Sequence, residues 1–379
     1  MRHILVVNAG SATVKCALYE LDHVRLADGA AGWRATFDRR DGAGLPAVAD
    51  VLDVLPCDPD ELAAVGHRIV HGGPRLRGPV MVDRDVRTHI EQAGRFAPLH
   101  NPPALALLDA FNERLPEAIT VAVFDTAFHA TIPPAAAAYG GPYSWWDRGW
   151  RRYGFHGISH RDAGERAARL IGRPLEDLSM VSTHLGGGCS VTAIRHGHSV
   201  DTTMGLSPLD GLVMATRSGS VDPAVVLLAL DDHGGDPVAL ARQLEEGSGV
   251  LGLSGTTADV TEARIAAADG DERARLAYDT FVHRTRTAIG AMAVAAGGCD
   301  LLVLTGGAAE RDASLRDDVV AGLGVLGLSL DAAANEAGAA DRLINAESSP
   351  SIALIAADEE RVIARETARL VGHRVDPAP

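Results

Sequence analysis

One local pattern occurs twice in this chain: an apolar strand, a small glycine turn, then a second apolar strand. The first copy runs through Ile4-Leu5-Val6-Val7, turns at Asn8-Ala9-Gly10-Ser11-Ala12-Thr13-Val14-Lys15 and continues into Ala17-Leu18. The second runs through Met180-Val181-Ser182-Thr183-His184-Leu185, turns at Gly186-Gly187-Gly188-Cys189-Ser190 and continues into Val191-Thr192-Ala193-Ile194. A repeated unit of this kind suggests an internal duplication, which constrains the fold more than any composition does. A third glycine turn, Gly306-Gly307, follows the apolar run Leu301 to Thr305, and the residues from Ala308 to Leu315 look helical. Turns like these suit a phosphate. Gly10 lets the backbone come close, Ser11 and Thr13 carry hydroxyls, and Lys15 carries a positive charge. The first turn is not a Walker A loop, because no Gly-Lys-Ser/Thr follows a four-residue gap and the segment after Lys15 reads as a strand.

At 379 residues, two domains are the default expectation. With 35 basic against 50 acidic residues, the net charge of −15 argues against nucleic acid or an anionic membrane as the main partner. An anion site must then be a local cluster of arginines and backbone N–H groups. Cys16, Cys57, Cys189 and Cys299 are far apart with no Cys-x-x-Cys pair, which suggests a reduced, cytoplasmic chain with incidental thiols. The first apolar run is too short for a signal peptide, and none approaches the roughly 20 residues of a membrane helix.

Strands are expected at 4–8, 14–19, 64–70, 120–125, 180–185, 190–195, 301–305 and 352–356. Helices are expected at 103–114, 160–171, 222–231, 237–246, 272–296, 312–322 and 359–371. The mixture gives an α/β class. The Tyr-, Gly-, Pro- and Trp-rich stretch 138–152 reads as a connection near a domain boundary or at a dimer surface. The last helix places Ile363, Thr367, Leu370 and Val371 on one face, as if to pack back on the first domain. The domains are therefore expected at 1–150 plus 357–379, and at 151–356.

Polar residues concentrate in short blocks beside glycines, prolines and strand ends, where loop-borne chemistry sits. They include His67-Arg68-Ile69-Val70-His71-Gly72-Gly73, Ala97-Pro98-Leu99-His100-Asn101-Pro102-Pro103, Phe124-Asp125-Thr126-Ala127-Phe128-His129 and Tyr153-Gly154-Phe155-His156-Gly157-Ile158-Ser159-His160. Together with Thr183-His184-Leu185-Gly186, the Arg217 block and Asp358-Glu359-Glu360, they resemble the acetate kinase family over nearly the whole chain. His67, His71, His129 and His160 show no zinc spacing and read as structural, or as support for the arginines.

The resemblance implies a duplicated, two-domain actin/hexokinase/Hsp70-like ATPase fold of ribonuclease H-like domains, with the site in the interdomain cleft, and a homodimer. It implies reversible, in-line transfer of the ATP γ-phosphoryl group to acetate or propionate with Mg²⁺ (or Mn²⁺), giving acetyl phosphate and ADP. Arg68 and Arg217 match the family's site arginines, Asp125 an essential carboxylate that orients Asn8, the metal or Arg68, and His156 the donor to the phosphoryl group in flight. His100 and His184 match supporting histidines. Asn8 and Glu359 match residues near the metal. Val70, Leu99, Phe155 and Pro208 match the pocket for the substrate methyl. Ser11, Thr13, Lys15, Gly186, Gly187, Gly188, Asp259, Gly306, Gly307, Ala308 and Ala309 match the nucleotide and phosphate contacts. No general base is required, since acetate is already ionised at neutral pH.

The nucleotide half departs from the family pattern. Gly187 stands where asparagine is usual, Val260 and Thr261 where phenylalanine and arginine border the adenosine, Ala309 where a second glycine leaves room for the base, and Asp358 where asparagine is usual. These changes predict a relaxed nucleotide preference. The competing expectations are a propionate-preferring kinase, a kinase using another nucleotide or pyrophosphate, and a degenerate sensor of acetyl phosphate or nucleotide.

Overall fold

The computed structural model describes residues 2–10, 13–22, 25–26, 31–38, 47–338 and 341–375. Two compact units emerge: Met1–Ala130 with Asp358–Pro379, and Thr131–Ala357.

The first unit is built on β1 (Arg2–Ala9), β2 (Thr13–Asp22), β3 (Arg25–Leu26), β4 (Trp33–Asp38), β5 (Leu62–Ile69), β6 (Val80–Met81) and β7 (Ile119–Phe124). Their order is β3-β2-β1-β5-β7-β6, with β4 also paired to β2. β1 and β2 form an antiparallel hairpin, while β1, β5 and β7 run parallel. Ile4 to Val7 are almost wholly buried, which explains why β1 reads as an unbroken apolar run: a parallel strand covered on both faces has no polar side to show.

The second unit repeats this plan. It contains β8 (Ser179–Leu185), β9 (Cys189–Arg195), β10 (His198–Thr202), β11 (Leu301–Thr305), β12 (Arg342–Leu343) and β13 (Ser351–Leu354), ordered β10-β9-β8-β11-β13-β12. Again an antiparallel hairpin, β8–β9, is followed across the sheet by parallel β11 and β13. The two glycine turns occupy equivalent corners of the two sheets, so the duplication suggested by the repeated pattern exists in three dimensions.

All eight expected strands and all seven expected helices are present. The first boundary, expected at 150, falls between Ala130 and Thr131. The reason is hydrogen bonding: Arg152 Nη1 donates to the carbonyls of Thr202 and Thr203 at 2.7 and 2.8 Å, Tyr153 N donates to Gly205 O, and Leu206 N donates to the Tyr139 hydroxyl. Residues 138–152, expected as a connection near a domain boundary or at a dimer surface, are part of the second unit and include the short helix Tyr143–Asp147.

The C-terminal helix, Glu359–Val375, lies against the first unit's sheet. Ile363 and Thr367 are fully buried there, and the Thr367 hydroxyl donates to Ile363 O at 2.7 Å. Close approach is possible because Gly66 of β5 has no side chain. A Cβ at Gly66 would overlap Thr367 Oγ1 and lie 3.0 Å from Ile363 Cγ2. Gly66→Ala is therefore expected to destabilise the protein by about 1–3 kcal/mol through overpacking. Chemical denaturation measures this, and Thr367→Ala in the same chain should recover part of the loss.

Candidate active site

In open α/β sheets, ligands meet the loops at the carboxyl ends of the parallel strands. The first unit places Asn8 near the end of β1, Arg68 near the end of β5 and Asp125 just beyond β7, on three adjacent strands. Arg68 grips Asp125 with both arms of its fork, Nε to Oδ1 at 2.9 Å and Nη2 to Oδ2 at 2.5 Å. Its Nη1 donates to Asn8 Oδ1 at 3.2 Å. Asn8 Nδ2 in turn donates to Glu359 Oε2 at 3.0 Å and Glu360 Oε1 at 2.7 Å, both brought in by the C-terminal helix. Arg68 Nε also lies 3.8 Å from Glu359 Oε2.

Burial works against the Arg68 charge, but Asp125 and Glu359 outweigh it, so its pKa moves above the usual arginine value. The Asp125 side chain is only 1% exposed. Of the three partners expected for it, Asp125 takes Arg68. The result is a fixed guanidinium beside a carboxylate-rich corner.

The oxygen donors of that corner fit a hard cation such as Mg²⁺, which takes one or two carboxylates and keeps several waters. Glu359 can supply an oxygen. Asn8 acts mainly as the clamp that orients Glu359 and Glu360, because its Nδ2 points to both carboxylates and one lone pair of Oδ1 already accepts from Arg68.

The loops around this cluster are tied together by Asn101. Its Oδ1 accepts from His71 N at 3.0 Å and its Nδ2 donates to His71 O at 2.9 Å. Thr126 Oγ1 accepts from Gly72 N. Asn101 and Thr126 thus join three of the sequence blocks, although neither was singled out as a site residue. Nearby, the buried His67 is pushed down to about 3 by desolvation, its Nε2 has no partner, and its ring packs edge-on to Phe111. It is a neutral core side chain, as the structural reading expected.

Gly10 N donates to Thr13 O at 2.8 Å, closing the first turn. Register pairs Lys15 with Asn8 on the same face of the hairpin. Ser11 lies outside the described residues. Val70 is buried, Leu99 is exposed and His100 is half-buried at the start of the helix Asn101–Arg114.

In the second unit, His156 caps the helix Gly157–Leu170 with φ +56°, a left-handed conformation that non-glycine residues adopt at a cost. The ring is fixed by hydrogen bonds rather than by packing alone. His156 Nδ1 and Ser190 Oγ are 2.9 Å apart, Ser190 Oγ and His160 Nε2 2.8 Å, and His160 Nδ1 and Ser182 Oγ 2.9 Å. His184 Nδ1 bonds to Ser159 Oγ at 2.8 Å, and the His156 and His184 rings lie 4.3 Å apart. Each histidine is thus oriented by serine. Ser159 and His160 sit in a block already recognised by its sequence. Ser182 and Ser190 gave no local signal and became visible only through the pairing of β8 with β9.

Gly188 brings His156 and Arg217 to one point. A Cβ there would lie 3.2 Å from His156 Nε2 and 3.3 Å from Arg217 Nη1. Arg217 Nη1 also donates to Pro208 O at 3.2 Å. The Arg217 loop is secured by backbone bonds to the helix Gly249–Ser254, including Val250 N to Met214 O and Ser248 N to Thr216 O, both 2.9 Å. Phe155 and Pro208 are buried. The expected acyl quartet is thus divided, with Val70 and Leu99 in the first unit and Phe155 and Pro208 in the second.

The expected nucleotide residues fare unevenly. Gly186 N donates to Gly188 O at 3.1 Å, making a tight turn whose exposed Gly187 has nothing within 4 Å of a Cβ. Gly306, at φ +88°, leads into the helix Gly307–Arg311. Ala308 and Ala309 are buried, Ala309 completely. Asp259 caps the helix Val260–Ala268, accepting from Thr261 N at 2.8 Å, and Val260, the first residue of that helix, is buried. Gly187 therefore lies on an open surface, whereas Ala309 is enclosed by the fold.

Two α/β units share one strand plan, the first carrying Arg68 near a strand end and the second carrying Arg217 with hydrogen-bonded histidines beside a glycine turn. The chain belongs to the acetokinase family, which it matches over residues 34–365. It is 41% identical to an acetate kinase of Gloeobacter violaceus over 96% of this chain and 98% of that one. A solved acetate kinase of Porphyromonas gingivalis superposes with TM-score 0.86 at 33% identity, covering 98% of this chain and 100% of that one. A propionate kinase of Francisella tularensis superposes with TM-score 0.87 at 34% identity, over 97% and 99%. The chain is an enzyme of the kinase class. No helix among the described residues is long and apolar enough to cross a membrane.

Proposed function

We propose that this enzyme transfers the γ-phosphoryl group of ATP to acetate, reversibly and with Mg²⁺, giving acetyl phosphate and ADP. The observation that carries the reading is the Asn8–Arg68–Asp125–Glu359 constellation at adjacent strand ends in a chain of this family. An acetate oxygen forms the new P–O bond as the bond to the ADP oxygen breaks, so no proton need be removed. The chief obstacle is repulsion between two anions, followed by charge on the equatorial phosphoryl oxygens. Arg68, held charged by Asp125, offsets the first. His156 and Arg217 donate to the second, preorganised by Ser190 and by the Pro208 carbonyl. Mg²⁺, held at Glu359 and oriented through Asn8, would neutralise phosphate charge.

The test is to trap product with hydroxylamine. Purified enzyme with acetate and Mg²⁺–ATP should yield acyl hydroxamate and an equal amount of ADP, and failure to form either overturns the proposal. Propionate should have a kcat/KM lower by about tenfold or more, since one methylene in a small apolar pocket is worth roughly 1–3 kcal/mol. Butyrate should be worse again. Running GTP and pyrophosphate alongside ATP measures how far the open surface at Gly187 relaxes donor choice.

A homodimer completes the proposal. The helix Pro223–Asp232 has no buried residue, with Val225, Leu227 and Leu228 exposed by 53%, 66% and 68%. An apolar surface of this kind marks an interaction site. Light scattering should report twice the chain mass, and Leu227→Asp with Leu228→Glu should give monomers.

A further inference from the structure

At the opposite end of β1 from Asn8, about 17 Å away at a strand's rise per residue, lies a second group of ligand-type side chains. His3 of β1 pairs with Leu62 at the start of β5. The segment entering β5 carries Cys57 and, in the short turn Pro59–Glu61, Glu61. One ring nitrogen of His3, Cys57 Sγ and a carboxylate oxygen of Glu61 all lie within 4.8 Å of one another. His3 Nδ1 is buried without a hydrogen-bond partner. Leaving such an atom unsatisfied is costly, and native structures seldom do so without a reason.

We propose that His3, Cys57 and Glu61 form a binding site for a divalent metal ion of the zinc class. The donor set decides the class. A thiolate and an imidazole suit a borderline-soft ion, whereas Mg²⁺ takes oxygen ligands. Three protein ligands leave a fourth tetrahedral position for water. Small shifts suffice to close the three donors onto an ion at about 2.0–2.3 Å. The ion would tie β1 to the approach of β5, two strands adjacent in the sheet but separated by some fifty residues of chain, and would stabilise the first unit by binding the folded state. It stands apart from the phosphoryl chemistry, and Cys57 ceases to be an incidental thiol.

The experiment uses the full-length chain after treatment with chelator. One equivalent of Co²⁺ should produce a thiolate-to-cobalt charge-transfer absorption that Zn²⁺ displaces. Cys57→Ser and His3→Gln should each lose it, while Cys299→Ser, which alters another partly buried thiol, should keep it. On the unmutated protein, Zn²⁺ at about 100 times its Kd should slow alkylation of Cys57 about a hundredfold, because only about one site in a hundred is then empty. Peptide mass spectrometry reads that rate. An unmutated chain that shows no cobalt absorption, or a Cys57 alkylation rate indifferent to zinc, overturns the proposal without reliance on any variant's folding.

Discussion

Arg217→Ala is expected to lower turnover by about 10²–10³-fold, the usual loss when one preorganised donor to a developing oxyanion is removed. Steady-state kinetics and a melting curve on the same preparation decide the matter. Near-normal turnover in the folded variant would refute the role given to Arg217. Arg217→Lys should recover little, because a point charge cannot reproduce the planar fork.

Arg68→Ala should lose at least as much turnover, but it should also weaken the fold. Arg68 is one half of a buried ion pair. Asp125 is 1% exposed and takes two bonds from Arg68, so removing the guanidinium takes away the opposite charge paired with a buried carboxylate. Breaking a buried pair in this way typically costs about 3–5 kcal/mol. For a unit of this size that corresponds to roughly a 10 °C fall in Tm. The double variant Arg68→Ala/Asp125→Ala separates the roles: stability should partly return, because no charge is left alone, while turnover should not. An Arg68→Ala protein as stable as its parent would mean that Asp125 finds another partner.

What the residues disclosed follows from the range of the interactions involved. The eight main strands are rich in apolar residues and the long helices are periodic, so both were legible. Helices Arg84–Ala93 and Val260–Ala268 were not expected, although each begins at an aspartate cap, Asp83 or Asp259. A single cap before a short, partly polar segment is a weak local signal. β4 alternates half-buried with exposed residues as an edge strand, and its Arg34 reaches Asp358 at 3.0 Å and Glu360 at 3.2 Å, contacts more than three hundred residues apart in the chain.

By itself the sequence determined the α/β class, the duplication, the family and the residue types available for chemistry, because each is carried by contiguous motifs and short-range periodicity. Tertiary structure alone decided which partners those residues take. Asp125 serves Arg68, Asn8 clamps Glu359 and Glu360, and Ser190 and Ser182 aim the histidines. It also decided that Ala309 is buried and that residues 131–152 belong to the second unit. These pairings depend on strand register and on the docking of a helix from the far end of the chain, and neither is encoded within any one segment.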